Sequence, residues 1–188
     1  EGNTSNRPRN YLFELMTLAK FHRPEKSLQA IEHAVHDVAF SWGDALFFVE
    51  CKRLQSMKKL EMNILDACNQ LQKSLETEPD ATRLVALDFS KIRQAETNKQ
   101  WMLIEHFLVK RLEKVLDWFV AVNSRVWEDV FGRRDSSIHG MLLRYSIMCV
   151  SGPEELVSHG IQWGVNAKKR IGSDDRDKLK LLTETIGS

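Results

Sequence analysis

Two apolar-rich runs, Val38–Trp42 and residues 45–49, stand on either side of Gly43-Asp44. That dipeptide suits a two-residue hairpin turn. In that register Val38 faces Val49, and one step further out Asp37 lies opposite Glu50. Side chains alternate along a strand, so Lys52 shares a face with Glu50 while Val49 and Cys51 point the other way. The second run is apolar on both faces, Leu46 and Phe48 against Ala45, Phe47 and Val49. This is expected of a central strand covered by helices on each side.

The remaining pattern supplies the helices and further strands. Residues 11–21, with Asn10 as a suitable cap, carry Leu12, Phe13, Leu15, Met16, Leu18 and Ala19 and are apolar nearly all round. A buried helix is expected, with Glu14 as its conspicuous charge. His22 to Lys26 breaks it, and residues 28–35 lead into the hairpin as a strand. Ser56 is placed to cap a helix over 56–76, where Leu60, Ile64, Ala67, Cys68, Leu71 and Leu75 form one stripe flanked by Gln70. Pro79-Asp80 sits in a turn, and residues 83–88 read as an inner strand. Residues 97–131 are helical throughout, as one long helix or two in series, and could pack on the sheet or against a second subunit. A loop at 132–137, strands at 141–150 and 161–167, a turn or short helix after Ser151 and a short helix in the charged tail from Gly172 complete the chain. The expected fold is α/β, a mixed central sheet flanked by helices on both faces.

Composition adds bounds. At 188 residues, 43% hydrophobic and 28% charged, the chain is expected to form one domain over 10–188, after a polar, disordered segment at 1–9. No apolar run reaches membrane-span length and the start lacks a signal-peptide layout, so a cytoplasmic protein without membrane partners is expected. Cys51, Cys68 and Cys149 are scattered and read as reduced core residues. A net charge of +1 does not advertise nucleic-acid binding, but Lys52, Arg53, Lys58 and Lys59 cluster beside the hairpin and Lys168-Lys169-Arg170 follow a later strand.

The chemistry concentrates at the hairpin's open end. Two carboxylates and a lysine can hold a divalent cation and a polarised water beside a phosphate. Acid-x-Lys spacing is weak by itself: 26 acids and 14 lysines in 188 residues give about two triplets by chance, and one occurs. Its placement says more, because a strand buried on both faces has little reason to end in Glu-x-Lys unless the charges work. Glu32, His33, His36 and Asp37 invite a transition-metal reading. On a strand, however, His33 and His36 face opposite sides, which favours surface histidines. No Gly-rich phosphate loop, nucleophile elbow or zinc spacing appears in the sequence.

Asp37 followed by Glu50-Cys51-Lys52 resembles the signature of the PD-(D/E)XK superfamily of restriction-endonuclease-like nucleases. Phe13-Glu14-Leu15 on a preceding helix, Gln70 on the following one and the strand at 83–88 extend the resemblance over the first half of the chain. His36 stands where the proline naming the motif would be. The resemblance implies metal-dependent hydrolysis of phosphodiester bonds in nucleic acid, most often DNA, leaving 5′-phosphate and 3′-hydroxyl ends. It implies Mg²⁺, with Mn²⁺ able to substitute, held by Asp37 and Glu50 with the Cys51 carbonyl, and Glu14 as a further ligand. Lys52 would orient or deprotonate the attacking water, Gln70 would sit beside it, and Arg53, Lys58 and Lys59 would meet the nucleic acid. A homodimer would supply two symmetric sites for cutting both strands. The alternatives are a catalytically silent nuclease-like domain that binds nucleic acid or protein, and an interaction module whose working surface is the long helix.

Overall fold

A computed structural model describes residues 7–94, 105–133, 138–151, 156–167 and 172–187. Strands β1 (Leu28–Ile31), β2 (Val38–Trp42), β3 (Ala45–Arg53), β4 (Thr82–Asp88), β5 (Gly140–Ser151) and β6 (Leu156–Ala167) form one sheet in sequence order. The β1–β2, β2–β3 and β5–β6 pairs are antiparallel, whereas β3, β4 and β5 run parallel. The sheet is therefore mixed, as the apolar pattern implied. Val38 pairs with Val49 and Trp42 with Ala45, the register expected from the Gly43-Asp44 turn. Gly43 takes φ +55 and Asp44 stays out of the left-handed region, the type II′ pattern in which glycine must come first.

Helices cover both faces. Helices α2 (Leu60–Gln72), α4 (Glu105–Val122) and α5 (Ser124–Arg133) bury Leu60, Ile64, Leu71, Phe119 and Trp127 against Phe48, Val85 and Tyr145. On the opposite face, α1 (Arg7–Phe21) and α6 (Ser173–Gly187) cover Phe47, Val49, Leu84 and Leu142. A short helix, α3 (Ser90–Gln94), follows β4. Gly164 lets α4 approach β6, since a Cβ there would meet the Leu116 side chain at 3.1 Å.

The boundaries depart from expectation where tertiary contacts decide. Helix α1 begins at Arg7, so Asn10 lies inside it and residues 7–9 of the segment expected to be disordered are helical. Nor is the helix buried all round: Phe13, Thr17 and Phe21 face the sheet, while Tyr11, Leu12 and Leu15 are 60%, 55% and 42% exposed. A helix lying on an outer face buries one i, i+4 stripe, whatever the composition of the rest. Strand β1 stops at Ile31, and residues 32–37 form a loop. Ser56 is extended and makes no capping bond; a 3₁₀ turn at Met57–Lys59 precedes α2. That helix ends at Gln72, tightening through bonds from Lys73 N to Gln70 O and from Leu75 N to Gln72 O.

The helical stretch expected at 97–131 is two helices in its described part, parted at Asn123, whose side chain donates to Phe119 O at 2.7 Å. Both contribute to the core under the sheet. Trp101 and Ile104 of that stretch, the Lys168-Lys169-Arg170 cluster and residues 134–137 of the expected loop lie outside the described residues. Cys51 and Cys68 are buried free thiols. Among the described residues no helix is long and apolar enough to cross a membrane.

Candidate active site

The hairpin register sets Asp37 just before β2 and Glu50 near the end of β3. Asp37 Oδ2 accepts a hydrogen bond from Cys51 N at 2.8 Å, which ties the loop to the strand. Glu50 is only 1% exposed, and its Oε1 lies 2.8 Å from His36 Nδ1. The second oxygen of each carboxylate has no protein partner among the described residues. Cys51 gives its N–H to Asp37 and turns its thiol toward Thr17 on α1, at 3.7 Å.

Lys52 shares the Glu50 face and reaches α2, where its Nζ donates to Gln70 Oε1 at 2.6 Å and pairs with Asp66 Oδ2 at 2.8 Å. Both partners lie on one helical face because they are four residues apart. Glu14, on the half-exposed flank of α1, feels both acids. Its pKa is raised first by burial and then by the charges of Asp37 and Glu50, with Lys52 opposing. That of Glu50 is also raised, chiefly by burial; the His36 hydrogen bond opposes this, and Asp37 adds to it. The Cys51 thiol is pushed well up by burial, which leaves it inert as an acid.

Thus Glu14, Asp37, Glu50 and Lys52 lie within one another's electrostatic field at one end of the hairpin, and Gln70 is joined to them through Lys52. The basic residues do not join them as one patch. Lys58 and Lys59 are exposed on the 3₁₀ turn, and Arg53 turns to the other face of β3, where its Nε lies 3.7 Å from Asp88 Oδ2.

His36, at 5% exposed, overturns the expectation of a surface residue, while His33 is half-buried. Because residues 32–37 are a loop, His33 and His36 are not held to opposite sides of a strand. Their rings stack at 5.0 Å, and both lean on Phe48. His33 Nδ1 accepts from the backbone N–H of Val35 and His36, each at 3.3 Å, and so shapes the loop that buries His36. Sequence reasoning gives His36 no part beside Glu50 and does not single out Asp66. Asp66 was legible from its four-residue offset from Gln70, whereas His36 required the loop.

Three acidic side chains against one lysine leave an excess of negative field, and their donors are hard oxygens, the set that suits Mg²⁺ or Mn²⁺. Among the described residues no three His, Cys, Asp or Glu side chains close on a common point. By donor chemistry alone, Asp37 and Glu50, each with one oxygen without a protein partner among the described residues, would be the residues to hold such a cation. A scan against protein-family models, a search of curated proteins and a search of solved structures each return no match.

Proposed function

We propose that this chain is a metal-dependent nuclease that hydrolyses phosphodiester bonds in nucleic acid, most favourably DNA. The observation that carries the reading is the end of the β2–β3 hairpin, where Asp37, just before β2, accepts from the Cys51 N–H next to Glu50, and Lys52 lies on the Glu50 face of β3. The resemblance of Asp37, Glu50-Cys51-Lys52 and Gln70 to the PD-(D/E)XK pattern supports it. So does the parallel β3–β4 pair, joined through the helix that carries Gln70.

Asp37 and Glu50 would hold Mg²⁺ or Mn²⁺, with Glu14 adding negative charge from α1. When bound, such an ion supplies Lewis acidity and a water of lowered pKa. The side chains do the positioning. His36 fixes one oxygen of Glu50 and the Cys51 N–H fixes one of Asp37, which leaves the other oxygen of each to act. Gln70 and Asp66 aim the Lys52 ammonium, whose N–H donors offset charge on the scissile phosphate and orient the attacking water. Water oxygen bonds to phosphorus, the bond to the 3′ oxygen breaks, and that oxygen leaves protonated. The products carry 5′-phosphate and 3′-hydroxyl ends.

A second reading, a silent domain of this fold that only binds, draws support from the same ties, because Lys52 and Glu50 are both engaged by protein partners. Nicking of supercoiled plasmid in Mg²⁺ or Mn²⁺ separates the two. Wild type is expected to nick, and Asp37→Ala and Lys52→Ala to be inert at unchanged melting temperature. A wild type inert on several DNA and RNA substrates leaves the binding reading.

A further inference from the structure

Beyond the proposed hydrolytic site, a second charged cluster occupies the other face of the sheet, at the C-terminal ends of β3 and β4 and in mid-β5. Asp88 and Arg144 are 2% and 5% exposed, and Arg144 Nη1 donates to Asp88 Oδ2 at 2.8 Å. Arg53 Nε approaches the same oxygen at 3.7 Å. The other Asp88 oxygen is occupied by Ser90, through its N–H at 3.0 Å and its hydroxyl. Ser90 Oγ in turn accepts from Ser146 N at 2.8 Å. The Arg144 guanidinium lies 5.9 Å from both the Phe13 and Trp163 ring centres, and its Nη2 points at Met16 Sδ, 3.6 Å away.

Two guanidiniums therefore share one carboxylate whose oxygens are both occupied. The Nε of each arginine is buried and has no hydrogen-bond partner among the described residues. Arg144 with Asp88 alone would balance; Arg53 is surplus charge. Burial pulls the Arg144 pKa down, Asp88 opposes, and Arg53 adds to the fall. A tie that served only to join strand ends would gain nothing from a second cation, since buried charge is costly unless it is paired. Arg53 keeps 23% of its side chain exposed, so the surplus opens to solvent. It directly follows Lys52 and points to the opposite face of β3. A nucleic-acid strand crossing the end of β3 would meet both.

We propose that Arg53, braced by Asp88 and Arg144, is a phosphate-binding subsite that grips the backbone of bound nucleic acid away from the scissile bond. The planar guanidinium fork matches a phosphodiester, and the fixed Arg144–Asp88 pair holds it in place. The inference rests on the nuclease reading only in taking nucleic acid as the ligand, and its test needs no cleavage.

Binding of a fluorescent DNA duplex in EDTA, followed by anisotropy over a salt series, reads it. Arg53→Gln is expected to weaken affinity about threefold to tenfold alike for unrelated sequences and to reduce the slope of log K against log salt by about 0.9, the loss of one phosphate contact. Arg53→Lys is expected to keep the slope while binding more weakly. Thermal melts confirm that each variant is folded. An Arg53→Gln slope equal to that of wild type overturns the subsite and leaves the nuclease reading untouched. The same unchanged slope, with inorganic phosphate stabilising wild type but not Arg53→Gln, assigns the cluster to a free anion and also overturns it. A wild type that binds neither DNA nor RNA overturns the subsite, while plasmid nicking in Mg²⁺ or Mn²⁺ decides the nuclease reading separately.

Discussion

The end of β3 is charged on both faces, and the two faces are built in opposite ways. Toward α1 and α6, Asp88 has each oxygen occupied, and its partner Arg144 is wedged between aromatic rings. At Glu50, on the α2 face, and at Asp37 just before β2, one oxygen of each carboxylate is without a protein partner among the described residues, and burial with neighbouring negative charge raises the pKa of Glu50 and of Glu14 on α1. A network that satisfies its carboxylate stabilises the fold, whereas carboxylates left in one another's field store a demand for a cation. Stability and activity should therefore separate cleanly when each face is mutated.

The largest expected effect is on cleavage. Asp37→Ala or Lys52→Ala should lower the plasmid-nicking rate at least about a hundredfold, roughly 3 kcal/mol in the barrier, with a circular-dichroism melt close to that of wild type. Next comes stability. Asp88→Asn should cost about 3 kcal/mol in urea unfolding, because it leaves Arg144 buried without its counter-charge. Glu50→Gln, on the other face, should cost nothing or stabilise, since it removes a buried carboxylate whose ionisation the site opposes. Equal losses from the two changes would erase the distinction.

The pH dependence is subtler. Glu14 and Glu50 have folded pKa values above the ordinary 4.5, so over that window the folded chain holds more protons than the unfolded one. By linkage, stability contributed by these groups falls as pH rises from about 4.5 through their folded values. Melting temperatures in EDTA should show this decline, Glu50→Gln should flatten it, and Mg²⁺ should reverse it above the window by stabilising the ionised pair. The smallest effect is expected at Asp66, whose side chain is 61% exposed. Asp66→Ala should change stability by less than about 1 kcal/mol in the same unfolding assay.

What could be read from the sequence follows the reach of each interaction. The β2–β3 register is local, fixed by Gly43-Asp44 between two apolar runs, and it leaves Asp37 just before β2 with Glu50 and Lys52 on one face of β3. Gln70 was reachable because helical spacing puts it on the flank beside the Lys52 face. The Asp88–Arg144 pair joins residues 56 apart in the chain, across α3, α4 and α5, and no local pattern announces it. The apolar surround of α1 misled for a related reason: whether Tyr11, Leu12 and Leu15 are covered depends on what lies above the helix. His36 was misplaced because a strand was extended through residues that form a loop closing over Phe48.

The central claim is that Asp37 and Glu50 share a divalent cation. A crystal soaked in Mn²⁺ and measured for anomalous scattering tests it directly. The expected result is a single strong peak between the two carboxylates, lost in Asp37→Ala. A wild-type crystal with no peak there, or with manganese bound only at other acids, would contradict it.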